Sequence, residues 1–138
     1  MISEKKIEVT YFDTDMMGIV YHANYIIWFE LGRSKFLKDA GFTIDDCLMR
    51  KLIFPIVSVK VDYKTPTKYG DEVIVKTYVK NITKVSTTYI QEVYSNNILS
   101  VTGEVKLATV DRDTFLPVNL KKRYKDLYDK YSKECAYE

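Results

Sequence analysis

Residues 23–40, ANYIIWFELGRSKFLKDA, decide the fold that the sequence predicts. Apolar and small side chains recur in this stretch every three or four residues, which is the period of an α-helix. These positions are Tyr25, Trp28 or Phe29, Gly32, Phe36 and Ala40. No charge precedes Glu30 in the first two turns, so we expect this end of the helix to be buried on most sides.

Two glycines add detail to this helix. Gly32 in a helix interior is less favourable than Ala by about 1 kcal/mol, so its presence indicates close packing against another element. Gly41 follows the last apolar position and is placed as the C-terminal cap of the helix.

Strand-like patterns surround the helix. Residues 6–12 alternate, with Ile7, Val9 and Tyr11 on one face. Four alternating runs follow the helix, at residues 56–64, 73–79, 87–93 and 98 to about 111. Asn96 and Asn97 suit a tight hairpin between the last two runs. An amphipathic helical stripe comes last, at Leu120, Tyr124, Leu127 and Tyr131.

This order of elements predicts an α+β domain over residues 1–138. A helix that is apolar on most sides needs an antiparallel sheet that curls around it. The free edges of that sheet would be satisfied most simply by dimerisation that continues it.

Composition limits the classes of function. The chain has 138 residues, 46% of them hydrophobic and 29% charged, which is typical of a soluble globular protein. A net charge of +2 is too small to indicate nucleic acid as the main partner. No stretch approaches the roughly 20 apolar residues of a membrane span, and the first residues lack a secretion signal. Cys47 and Cys135 fit reduced thiols, so we expect a cytoplasmic protein.

Common catalytic motifs are absent from the sequence. His22 is the one histidine, so a single chain cannot form a two-histidine metal site. The sequence contains neither a G-x-S-x-G elbow nor a phosphate-binding glycine loop. We therefore predict no metal and no cofactor. The polar groups that remain cluster before and within the helix: Asp13, Asp15, His22, Asn24, Glu30 and Arg33.

This cluster has both a catalytic and a structural interpretation. Amides at a helix start near His22 lack partners inside the helix and could hold a developing oxyanion. Asp15 lies seven residues before His22, with the flexible Gly18 between them, and its carboxylate could face a carbonyl held at the helix start. Asn24 or Tyr25 could hold the Asp15 side chain in position.

The structural alternatives concern each member of the cluster. Asp13 is typical of a turn or cap, and His22 beside a helix start is often a structural group. Glu30 and Arg33 have the spacing of an ion pair within a helix. The residues alone leave the role of Asp15 open.

Residues 11–25, YFDTDMMGIVYHANY, continuing through Trp28-Phe29-Glu30 to Arg33, resemble the signature of the hotdog-fold thioesterases. The most similar subgroup includes 4-hydroxybenzoyl-CoA thioesterase and the YbgC-type acyl-CoA thioesterases. The similarity continues through residues 54–57 and the later strands. It implies a hotdog fold, a homodimer or homotetramer, and hydrolysis of a thioester of coenzyme A or acyl-carrier protein.

The resemblance also implies roles for particular residues. Asp15 would be the catalytic carboxylate, acting as nucleophile or general base. The amide at His22 would polarise the thioester carbonyl, and the His22 side chain would assist. Lys60 and Lys84 are candidates for the phosphates of coenzyme A. The implied substrate contacts near the loop and the helix start are Gly18, Val20, Asn24 and Tyr25. Further implied contacts, made across a subunit interface, are Val57, Ser58, Val59 and Lys60.

Three other functions remain open at this stage. A hydroxyacyl dehydratase of the same fold would carry an H-F-P-G motif, which the sequence lacks. An acyl-binding protein without turnover would tolerate loss of Asp15. A basic adaptor would use the C-terminal helix from Leu120 as a docking face. The acyl group, the carrier, and the choice between dimer and tetramer are not determined by these patterns.

Overall fold

The computed structural model describes residues 1–135 as a curled antiparallel sheet with one long helix on its concave face. The strands are β1 (Ser3–Glu8), β2 (Leu52–Ile53), β3 (Ile56–Tyr63), β4 (Glu72–Ile82), β5 (Ser86–Ser95), β6 (Ile98–Ala108) and β7 (Val110–Asp111). The helices are α1 (Asn24–Asp39), α2 (Ile44–Met49), α3 (Leu120–Arg123) and α4 (Lys125–Lys133). The predicted α+β class is confirmed, as are the long helix and the strands that follow it. None of the helices in the described residues is long and apolar enough to cross a membrane.

Five strands form the main sheet in the order β1-β4-β5-β6-β3, and every neighbouring pair is antiparallel. β1 and β3 are therefore its edges. β2 and β7 form a separate two-stranded ribbon. Helix α1 packs against the sheet through a buried face formed by Tyr25, Trp28, Phe29, Gly32, Arg33 and Phe36.

Gly32 allows α1 to lie directly on the sheet. A Cβ atom at this position would be 2.6 Å from Thr77 Oγ1 and 2.8 Å from Gln91 Nε2. Gly103 on β6 plays the same part opposite the ring of Phe29. The close packing predicted at Gly32 is thus confirmed. The predicted cap is also confirmed, because Gly41 has a φ of +98° and its N–H donates to the Lys38 carbonyl.

A buried amide joins the helix to the sheet beside Gly32. The Nε2 atom of Gln91, on β5, donates to the Phe29 carbonyl at 2.7 Å and to Thr77 Oγ1 at 2.9 Å. Its Oε1 atom accepts a hydrogen bond from Arg33 Nη1 at 3.1 Å. The prediction of an ion pair between Glu30 and Arg33 is therefore wrong. The Arg33 side chain donates to Gln91 in the interior, while Glu30 stays exposed.

The first strand differs from its prediction. It spans Ser3–Glu8 rather than residues 6–12, and Tyr11 is exposed in a 3₁₀ turn over Tyr11–Asp13. The reason is local, because Asp13 Oδ2 accepts a hydrogen bond from the Thr10 amide at 2.8 Å and so closes the turn. The turn or capping role predicted for Asp13 is confirmed.

The segments outside the main sheet were not fully predicted. The sequence pattern predicts neither α2, whose cap Thr43 accepts a hydrogen bond from the Asp46 amide, nor the β2–β7 ribbon. The terminal helix is divided at Tyr124, whose extended φ of −148° interrupts the helical backbone. The hairpin at Asn96 and Asn97 is confirmed by their φ values of +50° and +66°.

We expect Gly32→Ala to lower the free energy of unfolding by about 1–3 kcal/mol, because the added methyl group overpacks the contact with Thr77 and Gln91. Chemical denaturation monitored by circular dichroism measures this change. The control is Lys38→Ala on the exposed face of α1, which should change stability by less than about 0.5 kcal/mol. Equal stabilities of the two variants would contradict the packing argument.

Asp111 should contribute pH-dependent stability. Its carboxylate accepts hydrogen bonds from the amides of Thr114 and Asp113 and pairs with Arg123, and these contacts lower its pKa from 3.8 to about 2. A carboxyl group with a lower pKa in the folded state stabilises it above the unfolded-state pKa. This stabilisation is lost as the pH falls from about 4 to about 2.

Asp111→Asn should therefore be less stable than the wild type at neutral pH, and the difference should vanish near pH 2. Urea denaturation at a series of pH values between 2 and 6 measures both curves. Parallel curves over this range would show that Asp111 has no depressed pKa.

Candidate active site

The loop before α1 is closed by its own backbone. The Asp15 amide donates to the Ile19 carbonyl at 2.9 Å, and the Gly18 amide donates to the Asp15 carbonyl at 3.0 Å. Thr14 and Val20 form an antiparallel bridge at its base. Gly18 has a φ of +79°, a conformation that favours glycine. Gly18 is therefore required by a defined turn, and the prediction that it is a flexible spacer is wrong.

The Asp15 carboxylate is positioned within this turn. Its Oδ1 atom accepts a hydrogen bond from the Met17 amide at 2.8 Å, and the side chain is half-buried. The prediction that Asn24 or Tyr25 would hold Asp15 is wrong. Asn24 Nδ2 donates instead to the Asp13 carbonyl at 2.8 Å, and the Tyr21 amide donates to the same oxygen. Asn24 thus fastens the loop to the start of α1.

Asp15 faces a cleft of about 330 Å³ at the start of α1. The cleft brings together four of the predicted site residues, Asp15, Val20, His22 and Tyr25, while Gly18 and Asn24 support the loop beside it. Sequence reasoning missed the remaining lining residues, Met17, Ile19, Tyr63, Lys64, Thr65 and Pro66. The last four lie at the end of a predicted strand and just after it, and only the three-dimensional fold places them opposite the loop.

Two backbone amides just before α1 have no hydrogen-bond acceptor among the described residues. Within residues 1–135, the amides of His22 and Ala23 donate to no protein atom, and no side chain caps the helix. The first turn contains no acidic residue. The positive end of the helix dipole is therefore not neutralised by the helix itself, and it favours a negatively charged group.

Tyr63 fixes the orientation of one of these amides. Its hydroxyl donates to the His22 carbonyl at 3.0 Å. The His22 carbonyl and the Ala23 N–H belong to the same planar peptide unit and point in opposite directions. The hydrogen bond from Tyr63 therefore also determines where the Ala23 N–H points. The His22 ring is exposed, with its centroid 4.5 Å from that of Tyr21.

The predicted contacts on β3 lie outside this cleft in the single chain. Val57, Ser58, Val59 and Lys60 are on an edge strand that pairs only with β6 among the described residues. The pairing register shifts between Ile56 and Ser58, and Val57 is exposed at this bulge. Lys84 lies in the turn between β4 and β5, where its carbonyl accepts a hydrogen bond from the Leu120 amide.

Glu30 and Arg33 line a second cavity, of about 360 Å³, that sequence reasoning did not anticipate. Arg33 lies nine residues beyond Asn24, which is roughly 14 Å along the helix. The predicted polar cluster is therefore divided between two sites. Apart from Glu30 and Arg33, the cavity is lined by Ser34, Leu37, Ile44, Leu48, Leu52, Ile53, Phe54, Thr87, Tyr89, Leu107, Leu127 and Tyr131.

The described residues provide no group of three or more His, Cys, Asp or Glu side chains placed to hold a metal ion. The polar groups at the Asp15 cleft include one carboxylate and one imidazole, and the unpartnered amides of His22 and Ala23 lie at the adjoining start of α1. This set can stabilise a developing oxyanion while a carboxylate acts on the same carbon atom or on a water molecule.

Comparison with known proteins covers almost the whole chain. The thioesterase-like superfamily matches residues 9–126. The YneP protein of Bacillus subtilis is 36% identical over 133 residues, which cover 96% of each chain. The acyl-CoA thioesterase YbgC of Helicobacter pylori is 32% identical over 128 residues, with 86% of this chain and 94% of the relative covered.

A solved structure gives the same result for the fold. The DHNA-CoA thioesterase of Staphylococcus aureus superposes with a TM-score of 0.92 at 34% identity, covering 96% of this chain and 89% of that one. The predicted hotdog fold is confirmed by this superposition.

Proposed function

Because the chain belongs to the thioesterase-like superfamily, we propose that this thioester hydrolase cleaves an acyl-CoA with Asp15 as its catalytic carboxylate. The observation that carries the proposal is the position of Asp15 in one cleft with the uncapped start of α1. The products are a free carboxylic acid and coenzyme A.

The amides of His22 and Ala23 supply the electrophilic part of the reaction. They donate hydrogen bonds to the thioester carbonyl oxygen, which becomes negatively charged when the carbonyl carbon is attacked. The helix dipole adds to this stabilisation because the first turn of α1 carries no carboxylate. Tyr63 acts as a positioning residue through the His22 carbonyl.

Asp15 supplies the nucleophilic part by one of two routes. As a general base it removes a proton from water, and the resulting hydroxide adds to the carbonyl carbon. As a nucleophile it adds directly, forming an anhydride that water then hydrolyses. In both routes the carbon–sulfur bond breaks and the thiolate leaves. Ordinary thiols have a pKa of about 8.5, so the leaving group needs little help from an acid.

The proposed assembly is a homodimer in which the β3 strands of two copies pair. Among the six residues of β1, the other edge, four are charged: Glu4, Lys5, Lys6 and Glu8. Charged side chains protect an edge strand from pairing. β3 is more apolar, and its Val57 is 59% exposed. These features favour β3 as the interface.

Such pairing would complete the site across two copies. The Asp15 cleft lies at the C-terminal end of β3, at Tyr63 to Pro66, whereas the second cavity includes Phe54 just before β3 begins. Antiparallel pairing about a two-fold axis brings the C-terminal end of one β3 to the N-terminal end of the other. Val57, Ser58, Val59 and Lys60 would then line the substrate path between them.

Acyl-carrier protein is the alternative carrier, and acyl-CoA binding without turnover is the alternative function. Both alternatives keep the same fold. Binding without turnover gives Asp15 no catalytic role, whereas an acyl-carrier protein would contact the surface around the cleft. Thiol release from each carrier separates them.

We expect Asp15→Asn to lower kcat/KM for acyl-CoA hydrolysis by at least about a hundredfold, the loss typical of a catalytic carboxylate. Free-thiol release measures this on aliphatic and aromatic acyl-CoAs, including the DHNA-CoA named for the Staphylococcus aureus relative. The matched control is Asp13→Asn in the same loop, whose amide oxygen can still accept the hydrogen bond from Thr10.

Asp13→Asn should stay within about threefold of the wild type, since it keeps a hydrogen-bond acceptor and lies outside the lining of the cleft. Activity of Asp15→Asn within tenfold of the wild type would contradict the assigned role. Binding of acyl-CoA with no thiol release by the wild type would favour the binding protein.

We expect Val57→Lys to dissociate the dimer and to reduce hydrolysis in parallel, because it places a charged, strongly hydrated side chain on the apolar strand edge that the two copies would bury. Sedimentation velocity and thiol release measure the two effects. Ile98→Lys is the matched control, since Ile98 is also 59% exposed but lies at the β5–β6 hairpin. A dimer that persists in Val57→Lys, or a wild type that is monomeric, would contradict pairing through β3.

A further inference from the structure

The second cavity combines an apolar wall with a buried cation. It lies between α1, α2, α4 and the concave face of the sheet, and most of its lining is aliphatic or aromatic. Its volume is within the range of small-molecule sites. Arg33 contributes the positive charge and is 8% exposed.

Most hydrogen-bonding capacity of Arg33 is not used by the described residues. A guanidinium group carries five N–H donors, and the protein accepts one of them, through Gln91 Oε1. No carboxylate in residues 1–135 lies within 4.0 Å of the Arg33 nitrogens. Burial lowers the Arg33 pKa, and the electrostatic interactions with Tyr89 and Glu30 oppose that shift only in part. A buried cation without a paired anion is unfavourable, so the cavity is suited to an anionic ligand.

Two tyrosines next to Arg33 provide a further donor. The Tyr89 and Tyr131 hydroxyls are 3.3 Å apart and share one hydrogen bond. The pair has two O–H protons, so one of them remains without an acceptor among the described residues. Burial raises the pKa of Tyr89 to about 12 and that of Tyr131 well above its ordinary value. Both hydroxyls are therefore protonated at neutral pH and can donate to a ligand oxygen.

The position of the cavity connects it with the reaction. Phe54 lies in its wall and just before β3, and pairing of β3 strands brings this end beside the Asp15 cleft of the second copy. An acyl group whose thioester lies in that cleft would extend toward the cavity. This connection rests on the proposed function and on the proposed dimer.

We propose that the cavity binds the far end of the acyl group and that Arg33, with the Tyr89–Tyr131 pair, selects acyl groups bearing an anionic oxygen group at that end. The apolar residues contact the body of the acyl group, and the guanidinium pairs with the terminal oxygens. An acyl group that ends in a methyl group would leave Arg33 buried and unpaired. The favoured substrates are then thioesters of dicarboxylic or similarly charged acids.

The first test compares adipoyl-CoA with hexanoyl-CoA, which differ by a terminal carboxylate in place of a methyl group. We expect the wild type to prefer adipoyl-CoA in kcat/KM, and Arg33→Met to reduce the adipoyl-to-hexanoyl ratio by at least about tenfold, in keeping with loss of a charge-assisted contact. Arg33→Lys, which keeps the charge, should restore part of the preference. An unchanged ratio in Arg33→Met would overturn the proposal.

A binding test works without hydrolysis. In the Asp15→Asn background, octanoate should bind at least about tenfold more tightly than octanol by isothermal titration calorimetry, and Arg33→Met should remove the difference. Leu48→Trp leaves the Arg33–Gln91 contact in place but fills the cavity from α2, so it should weaken octanoate binding even if Arg33→Met does not fold.

The two proposals fail in different ways. Arg33-dependent octanoate binding without hydrolysis of any acyl-CoA would support the subsite and contradict the proposed function. Asp15-dependent hydrolysis with equal binding of octanoate and octanol would support the function and overturn the subsite.

Discussion

The buried amide of Gln91 is the contact on which the arrangement of this protein depends. It joins β5 to the main chain of α1 through the Phe29 carbonyl, to β4 through Thr77, and to the side chain of Arg33. A buried amide with satisfied hydrogen bonds specifies one orientation, whereas apolar contacts alone tolerate several. Gly32 allows the close approach that these bonds require. Together they fix both the depth and the rotation of the helix on the sheet.

The orientation of α1 determines both ends of the proposed substrate path. His22, just before its uncapped start, lines the cleft together with Asp15, and its third turn places Arg33 in the second cavity. Groups that recognise a substrate are most effective when rigid elements hold them. One rigid helix here carries the group proposed to stabilise the oxyanion and the group proposed to select the acyl end. A rotation of α1 would misplace both at once.

Local periodicity was sufficient to predict α1 and the strands that follow it, because burial on one face imposes a period of 3.6 or 2. It was also sufficient for Asp13, whose role in a turn depends on residues three positions away. The support of Asp15 was predicted incorrectly, since either Asn24 or Met17 can bond a nearby loop oxygen and only the backbone path distinguishes them. The second cavity could not be predicted, because it depends on α2, which no sequence pattern indicated, and on α4, which is distant in sequence from α1.

The two edges of the sheet differ in a way that bears on how large an assembly can become. In the proposed dimer, pairing through β3 would consume the apolar edge of both copies and leave β1 at each outer margin of a continuous sheet. A row of glutamate and lysine side chains occupies that margin, and charges of this kind oppose further strand addition. Growth of the sheet would therefore stop after one pairing event. Two copies could then associate without polymerising into the open cross-β stacks that an unprotected edge would allow.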